Sequence, residues 1–158
     1  MVQVQAPSQT RTRIESRDVK RHLPAFYPAV NALDEAAWNS GLEPELVDLV
    51  YLRASQINGC AYCVQYHTQH ARELGVPQEK LTLVVAWEES GIFSAREEAA
   101  LVWAETLTRI AETHVPDAAY AAVREVFSEQ EVVALTAAVS AVNVWNRIAV
   151  TFRYAPEV

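Results

Sequence analysis

From Leu23 onward, apolar side chains return every three or four residues, and no stretch alternates apolar with polar for more than four. That period belongs to the α-helix, whose side chains revisit one face every 3.6 residues, and not to the strand. The pattern predicts helices over Leu23–Asn39, Pro44–Ile57, Cys60–Leu74, Gln78–Ser90, Ala95–Thr113, Asp117–Phe127 and Glu129–Arg153. All four glycines, Gly41, Gly59, Gly75 and Gly91, fall between these segments, where a helix end accepts a left-handed residue. "SARE" (Ser94 to Glu97) and "SEQE" (Ser128 to Glu131) are capping boxes, with a hydroxyl at the N-cap and an acid at N3. Pro77 and Pro116 stand at helix starts, where a missing N–H is not needed. The reading is an all-α bundle of about seven helices over residues 23–158, preceded by an arm or flexible tail over 1–22.

The last segment sharpens this picture. Val132, Leu135, Val139, Val142, Asn146 and Ala149 follow the 3/4 spacing, and the other faces are largely alanine and valine. A helix apolar nearly all round is buried, either at the centre of a bundle or between subunits. One layer of short helices covers it poorly, so a homo-oligomer is expected. Asn143 and Asn146 lie on this dry helix and need hydrogen-bond partners.

Composition narrows the classes. The 158 residues make one ordinary domain, 51% apolar and 21% charged, able to bury a core without staples. A net charge of −7 argues against nucleic acid and anionic membranes as partners. No uninterrupted run reaches the roughly 20 apolar residues of a membrane span. "MVQVQAPSQTRTRIESRDVK" has no apolar core of a secretory signal. The cytoplasm is the default compartment, and there two cysteines three apart are not expected to serve as a structural staple.

Chemistry concentrates in "NGCAYCVQYHTQH", Asn58 to His70, which holds two cysteines, two histidines and two tyrosines. On a helix, Cys60, Cys63, His67 and His70 share a sector of about 80°. Zinc needs ligands converging from at least two segments, whereas His70 lies about 15 Å along the axis from Cys60 and His22 and His114 are isolated. Haem attachment needs a histidine directly after the second cysteine, and Val64 is there. A redox pair fits better. Residues i and i+3 at a helix start can approach disulfide distance, the helix N-terminus favours thiolate, and His67 at i+4 from Cys63 is placed to take its proton. The bland alternative is two inert core cysteines beside an unrelated histidine. In the preceding helix, Asp48, Tyr51 and Ser55 are the residues expected to face the cysteine helix across the Asn58–Gly59 turn. A carboxylate there would fix the imidazole tautomer. The bland reading of Asp48 is a solvated side chain on an amphipathic helix. Tyr62 and Tyr66 are candidates to fence the thiols, Arg53 reads as a structural ion pair, and Trp87, Trp103 and Trp145 read as core or interface.

"LRASQINGCAYCVQYHTQHARELG", "AWEESGIFSAREEAALVWAETLTRI", "THVPDAAY" and "AVNVWNRIAV" resemble the AhpD-like alkylhydroperoxidases of the carboxymuconolactone decarboxylase superfamily, over about residues 23–153. The family pattern is a glutamate twelve residues before a C-x-x-C-x-x-x-H motif. It maps onto Cys60, Cys63 and His67, with Asp48 at the glutamate position. The resemblance implies a helical fold assembled as trimers or hexamers. It implies peroxide reduction through a Cys60–Cys63 disulfide without metal or flavin, and re-reduction by a dithiol carrier such as a lipoyl group or a thioredoxin-like protein. Asp48 departs from the pattern: it is shorter by one methylene, about 1.5 Å of reach, which leaves a gap for a water or weakens the relay. Glu45, one turn earlier, is the alternative carboxylate. Competing readings are a lactone decarboxylase or isomerase of the same superfamily, which needs no paired thiols, and a non-catalytic oligomer whose disulfide state switches its packing.

Overall fold

The computed structural model describes residues 12–156, and among these every regular element is helical. In chain order they are α1 (Ser16–His22), α2 (Phe26–Trp38), α3 (Pro44–Ile57), α4 (Ala61–Glu73), α5 (Gln78–Leu83), α6 (Trp87–Ser90), α7 (Ala95–Thr108), α8 (Ile110–Thr113), α9 (Asp117–Val126) and α10 (Glu129–Phe152), with a 3-10 turn at Val84–Ala86. Both capping boxes form. Ser94 Oγ accepts from Glu97 N–H while Glu97 accepts from Ser94 N–H, and Ser128 with Glu131 does the same.

The structure divides two of the expected segments. The 78–90 segment breaks at the 3-10 turn, where Trp87 turns into the core and donates Nε1–H to Glu105 at 2.9 Å. The 95–113 segment breaks at Arg109, with neither glycine nor proline there, and Thr113 donates its hydroxyl to Thr106 O at 2.8 Å across the break. Of the arm expected over 1–22, residues 1–11 lie outside the described residues. Residues 16–22 form α1, whose Val19 is buried with Tyr27, Val30 and Ile148. Arg13 N–H donates to Phe152 O at 2.9 Å, so the chain before α1 runs beside the end of α10.

Helix α10 is the central element, packed against α2, α3 and α7. It has the length and hydropathy of a membrane span, although no uninterrupted apolar run marked it as one. Its Val132, Leu135, Ala138, Val139, Ala141 and Val142 instead join Leu46, Val47, Val50, Trp103 and Phe127 in the main core. A second core, including Leu49, Leu52, Ala71, Val84, Trp87 and Leu101, lies between α3 and the α4–α7 region. Arg53 Nε pairs with Glu105 at 2.7 Å and ties α3 to α7. The α3–α4 hairpin is therefore held from two sides, by α10 and by α7.

Candidate active site

The site begins at the turn joining α3 to α4. Gly59 takes φ 65°, a left-handed conformation that costs glycine little and other residues more, and it lets Cys60 N–H return to Ser55 O at 3.0 Å. Asn58 donates its side-chain amide to Asn143 Oδ1 (3.0 Å) and Asn146 Oδ1 (2.8 Å), and Asn146 donates to Ser55 Oγ at 3.0 Å. Asn143 also donates to Val139 O at 2.8 Å. The two asparagines on the apolar helix thus find the partners they require, and the turn that presents the cysteines is locked to α10.

Cys60 is the N-cap of α4, one position earlier than the first helical turn expected for it, and its Sγ accepts from Cys63 N–H at 3.2 Å. The two cysteines form a disulfide with a Cα–Cα separation of 5.3 Å. Both are buried against Ala149, near Tyr62 and Tyr154. Cys63 lines a cavity and Cys60 is not among its lining residues.

One turn along α4 stands His67, and three residues further His70. Both converge on Asp48 of α3, which is 0% exposed. His67 Nδ1 lies 2.8 Å from Asp48 Oδ1 and His70 Nδ1 lies 2.7 Å from Asp48 Oδ2. A carboxylate can only accept, so each imidazole donates Nδ1–H and keeps its Nε2 for other work. Aromatic edges fix the rings: Tyr51 and Tyr66 meet His67 nearly perpendicularly at 5.0 and 5.1 Å, and Trp38 meets His70 at 5.3 Å. The shorter side chain of Asp48 therefore leaves no gap, correcting the expectation of a water-bridged or weakened contact, because the packed hairpin brings α3 close enough for direct bonds. Glu45 is exposed at the start of α3.

Behind His67, Tyr51 donates its hydroxyl to Asp34 Oδ1 at 2.7 Å. Burial lifts the Asp34 carboxyl above the usual carboxylate range, against the lowering effect of the Tyr51 hydrogen bond. Burial, then the negative charge of Asp34, pushes the Tyr51 phenol well above its ordinary value, so it remains a donor. Burial likewise raises Tyr66, with Asp48 and Asp34 adding to it.

These groups open onto a cavity of about 1050 Å³. Cys63, His67 and His70 form one wall, Trp38, Asp34 and Tyr51 another, and Trp145, Ile148 and Ala149 of α10 a third, with Tyr62, Tyr66, Tyr27 and Tyr154 also lining it. Tyr27 and Tyr154 share a hydrogen bond of 2.6 Å between their hydroxyls.

The structure thus gathers Cys60, Cys63, His67 and Asp48 in one place. Tyr62, Tyr66 and Trp145 line the cavity, while Trp87 and Trp103 lie in the core and Ser55 faces Asn146. The sequence reading missed Asp34, Trp38, Tyr27 and Tyr154. A signal for two of them was present: Asn31, Asp34 and Trp38 recur at 3/4 spacing on α2, beside the buried Val30 and Ala37, and all three line the cavity.

Comparison with known proteins agrees with this construction. Residues 24–106 match the carboxymuconolactone decarboxylase family. The uncharacterized protein YdfG of Bacillus subtilis (strain 168) is 39% identical over 103 residues, covering 65% of this chain and 70% of that protein. The crystal structure of a protein of unknown function from Agrobacterium tumefaciens, an AhpD antioxidant-defence candidate, superposes with a TM-score of 0.88. It is 41% identical and the match covers 94% of this chain and 99% of that one. The debrominase Bmp8, 16% identical with a TM-score of 0.78 over 97% of this chain and 95% of its own, shares the fold. The chain belongs to the carboxymuconolactone decarboxylase family and is AhpD-like within it.

Proposed function

We propose that the chain is a thiol-dependent hydroperoxide reductase acting on organic hydroperoxides. One observation carries the reading: Cys63 opens on the cavity one helical turn before His67, whose ring is anchored by a fully buried carboxylate. In the reduced protein His67 takes the Cys63 proton through Nε2. The thiolate attacks the terminal oxygen of the hydroperoxide, the O–O bond breaks, and the leaving alkoxide receives that proton as an alcohol. Cys63 is now a sulfenic acid. Cys60 attacks its sulfur, the hydroxyl leaves as water with the Cys60 proton, and the Cys60–Cys63 disulfide forms. An external dithiol, a lipoyl group or a thioredoxin-like protein, returns two electrons by thiol–disulfide exchange. Both electrons come from thiols throughout, so the cycle calls for neither metal nor flavin.

The volume and aromatic lining of the cavity favour an organic hydroperoxide over hydrogen peroxide, which would leave most of about 1050 Å³ unfilled. Assembly as a trimer or hexamer is part of the proposal, supported by large apolar side chains left exposed, among them Val133 and Val85. The test is steady-state consumption of cumene hydroperoxide with dihydrolipoamide as reductant. Turnover by the native protein and none by Cys63→Ser is expected. A native protein without turnover, or a serine variant with native turnover, contradicts the reading.

A further inference from the structure

Asp48 has two oxygens, and only one of them is needed to orient His67. The other is taken by His70 at 2.7 Å. His70 is unlike a core histidine: its side chain is 35% exposed, against 9% for His67, and it lines the same cavity. Its ring is fixed edge-on by Trp38 at 5.3 Å and stacked by Tyr66 at 6.1 Å. Seven residues of helix put it about 10 Å along the axis from Cys63, too far to touch the reacting sulfur. The hydrogen-bonded link from His70 to His67 is Asp48, which both rings share.

We propose that His70 is a positioning residue for the thiol chemistry, holding the second oxygen of Asp48 so that the first stays on His67. The inference rests on Cys63 being the attacking thiol. Without the His70 donor, Asp48 Oδ2 is a buried acceptor with no partner, a state that is strongly unfavourable. The carboxylate relieves it by rotating away or by taking up a proton, and either change leaves His67 unanchored as a base. Of the other groups around His70, none is a hydrogen-bond partner of Asp48 among the described residues. From α2 comes Asp34, from α3 Tyr51, bonded to Asp34, and from α4 Tyr66 and Glu73. Glu15 and Lys20 lie on the α1 side of the cavity.

The test reads the thiol itself, independently of any peroxidase activity. In the reduced Cys60→Ser protein, the rate of Cys63 alkylation by iodoacetamide is followed against pH, with and without changes at His70. His70→Leu is expected to slow alkylation at neutral pH at least tenfold and to move the half-maximal pH upward. His70→Asn, which can keep an N–H near the Nδ1 position, is expected to stay within threefold of its parent. Nitrogen NMR of the unsubstituted protein supplies a readout that needs no variant, with both His67 and His70 expected as Nδ1–H tautomers. His70→Leu alkylating like its parent, His70→Asn falling as far as leucine, or an Nε2–H tautomer at His70 overturns the proposal. Should the native protein show no peroxide turnover while alkylation responds as described, the peroxidase reading fails and the positioning role stands.

Discussion

Asp48→Asn removes the charge at the base of the site with almost no change of shape. An asparagine offers one carbonyl oxygen and one amide donor where the carboxylate offers two acceptors. Both His67 and His70 donate to Asp48, at 2.8 and 2.7 Å. One of them must then meet an N–H with its own N–H, and that ring switches tautomer or turns away. A hydrogen bond to a charged group contributes about 1.5–3 kcal/mol, and about 1.4 kcal/mol is a factor of ten in rate. Cys63 oxidation should therefore slow by roughly ten- to a hundredfold. Asp48→Glu lengthens the arm where both contacts are already direct. With Asp48 0% exposed and both oxygens already bonded, an added methylene overpacks the hairpin at a cost of about 1–3 kcal/mol, and the rate should fall. Stopped-flow oxidation of the reduced protein by excess cumene hydroperoxide, followed by tryptophan fluorescence, measures both variants, with circular dichroism confirming the fold. A native rate in Asp48→Asn refutes the carboxylate's role.

Asn146→Ala leaves Asn58 and Ser55 without the partner they have at 2.8 and 3.0 Å and opens space in a buried region. Urea unfolding should show a loss of about 2–4 kcal/mol at an unchanged m-value. Acid should destabilise the fold through Arg96, which pairs with Glu43 and Glu131. Hydrogen bonds from the Ser128 backbone, then from Arg96, lower Glu131 from 4.5 to about 2, and the Arg96 hydrogen bond is the main cause that lowers Glu43. Because these folded values are depressed, the stabilisation is fully present above the unfolded value and is lost as pH falls from there toward the folded one. Thermal midpoints should drop over that window, and Arg96→Met should flatten the drop. An unchanged acid profile in Arg96→Met contradicts the assignment. Asp34, raised by burial, works in the opposite sense, its contribution declining as pH rises.

The helices were legible because their signals are local: Ser94 and Ser128 with their N3 glutamates, Gly59 at the hairpin, and the apolar repeat along α10. The stripe of Cys60, Cys63, His67 and His70 was legible for the same reason, since a helix fixes side-chain directions from spacing alone. Other features depend on packing that spacing does not encode. Helix α1 is short, and only Val19 of it is buried, so nothing in its pattern separates it from an arm. The pairing of Asp34 with Tyr51 joins residues 17 apart in sequence on different helices. The reach of Asp48 depends on how closely α3 approaches α4, and no count of methylenes supplies that distance. His70 carried a signal, its place on the stripe, but its significance comes from the second oxygen of a carboxylate on another helix.

The most direct measurement of the central claim is a single turnover without any reductant. The protein is fully reduced, desalted and mixed with one equivalent of cumene hydroperoxide, and both products are quantified. The account predicts one equivalent of cumyl alcohol per chain, with both thiol hydrogens lost from the non-reduced peptide joining Cys60 to Cys63. Hydroperoxide left intact beside two free thiols, or alcohol formed equally by Cys63→Ser, contradicts it.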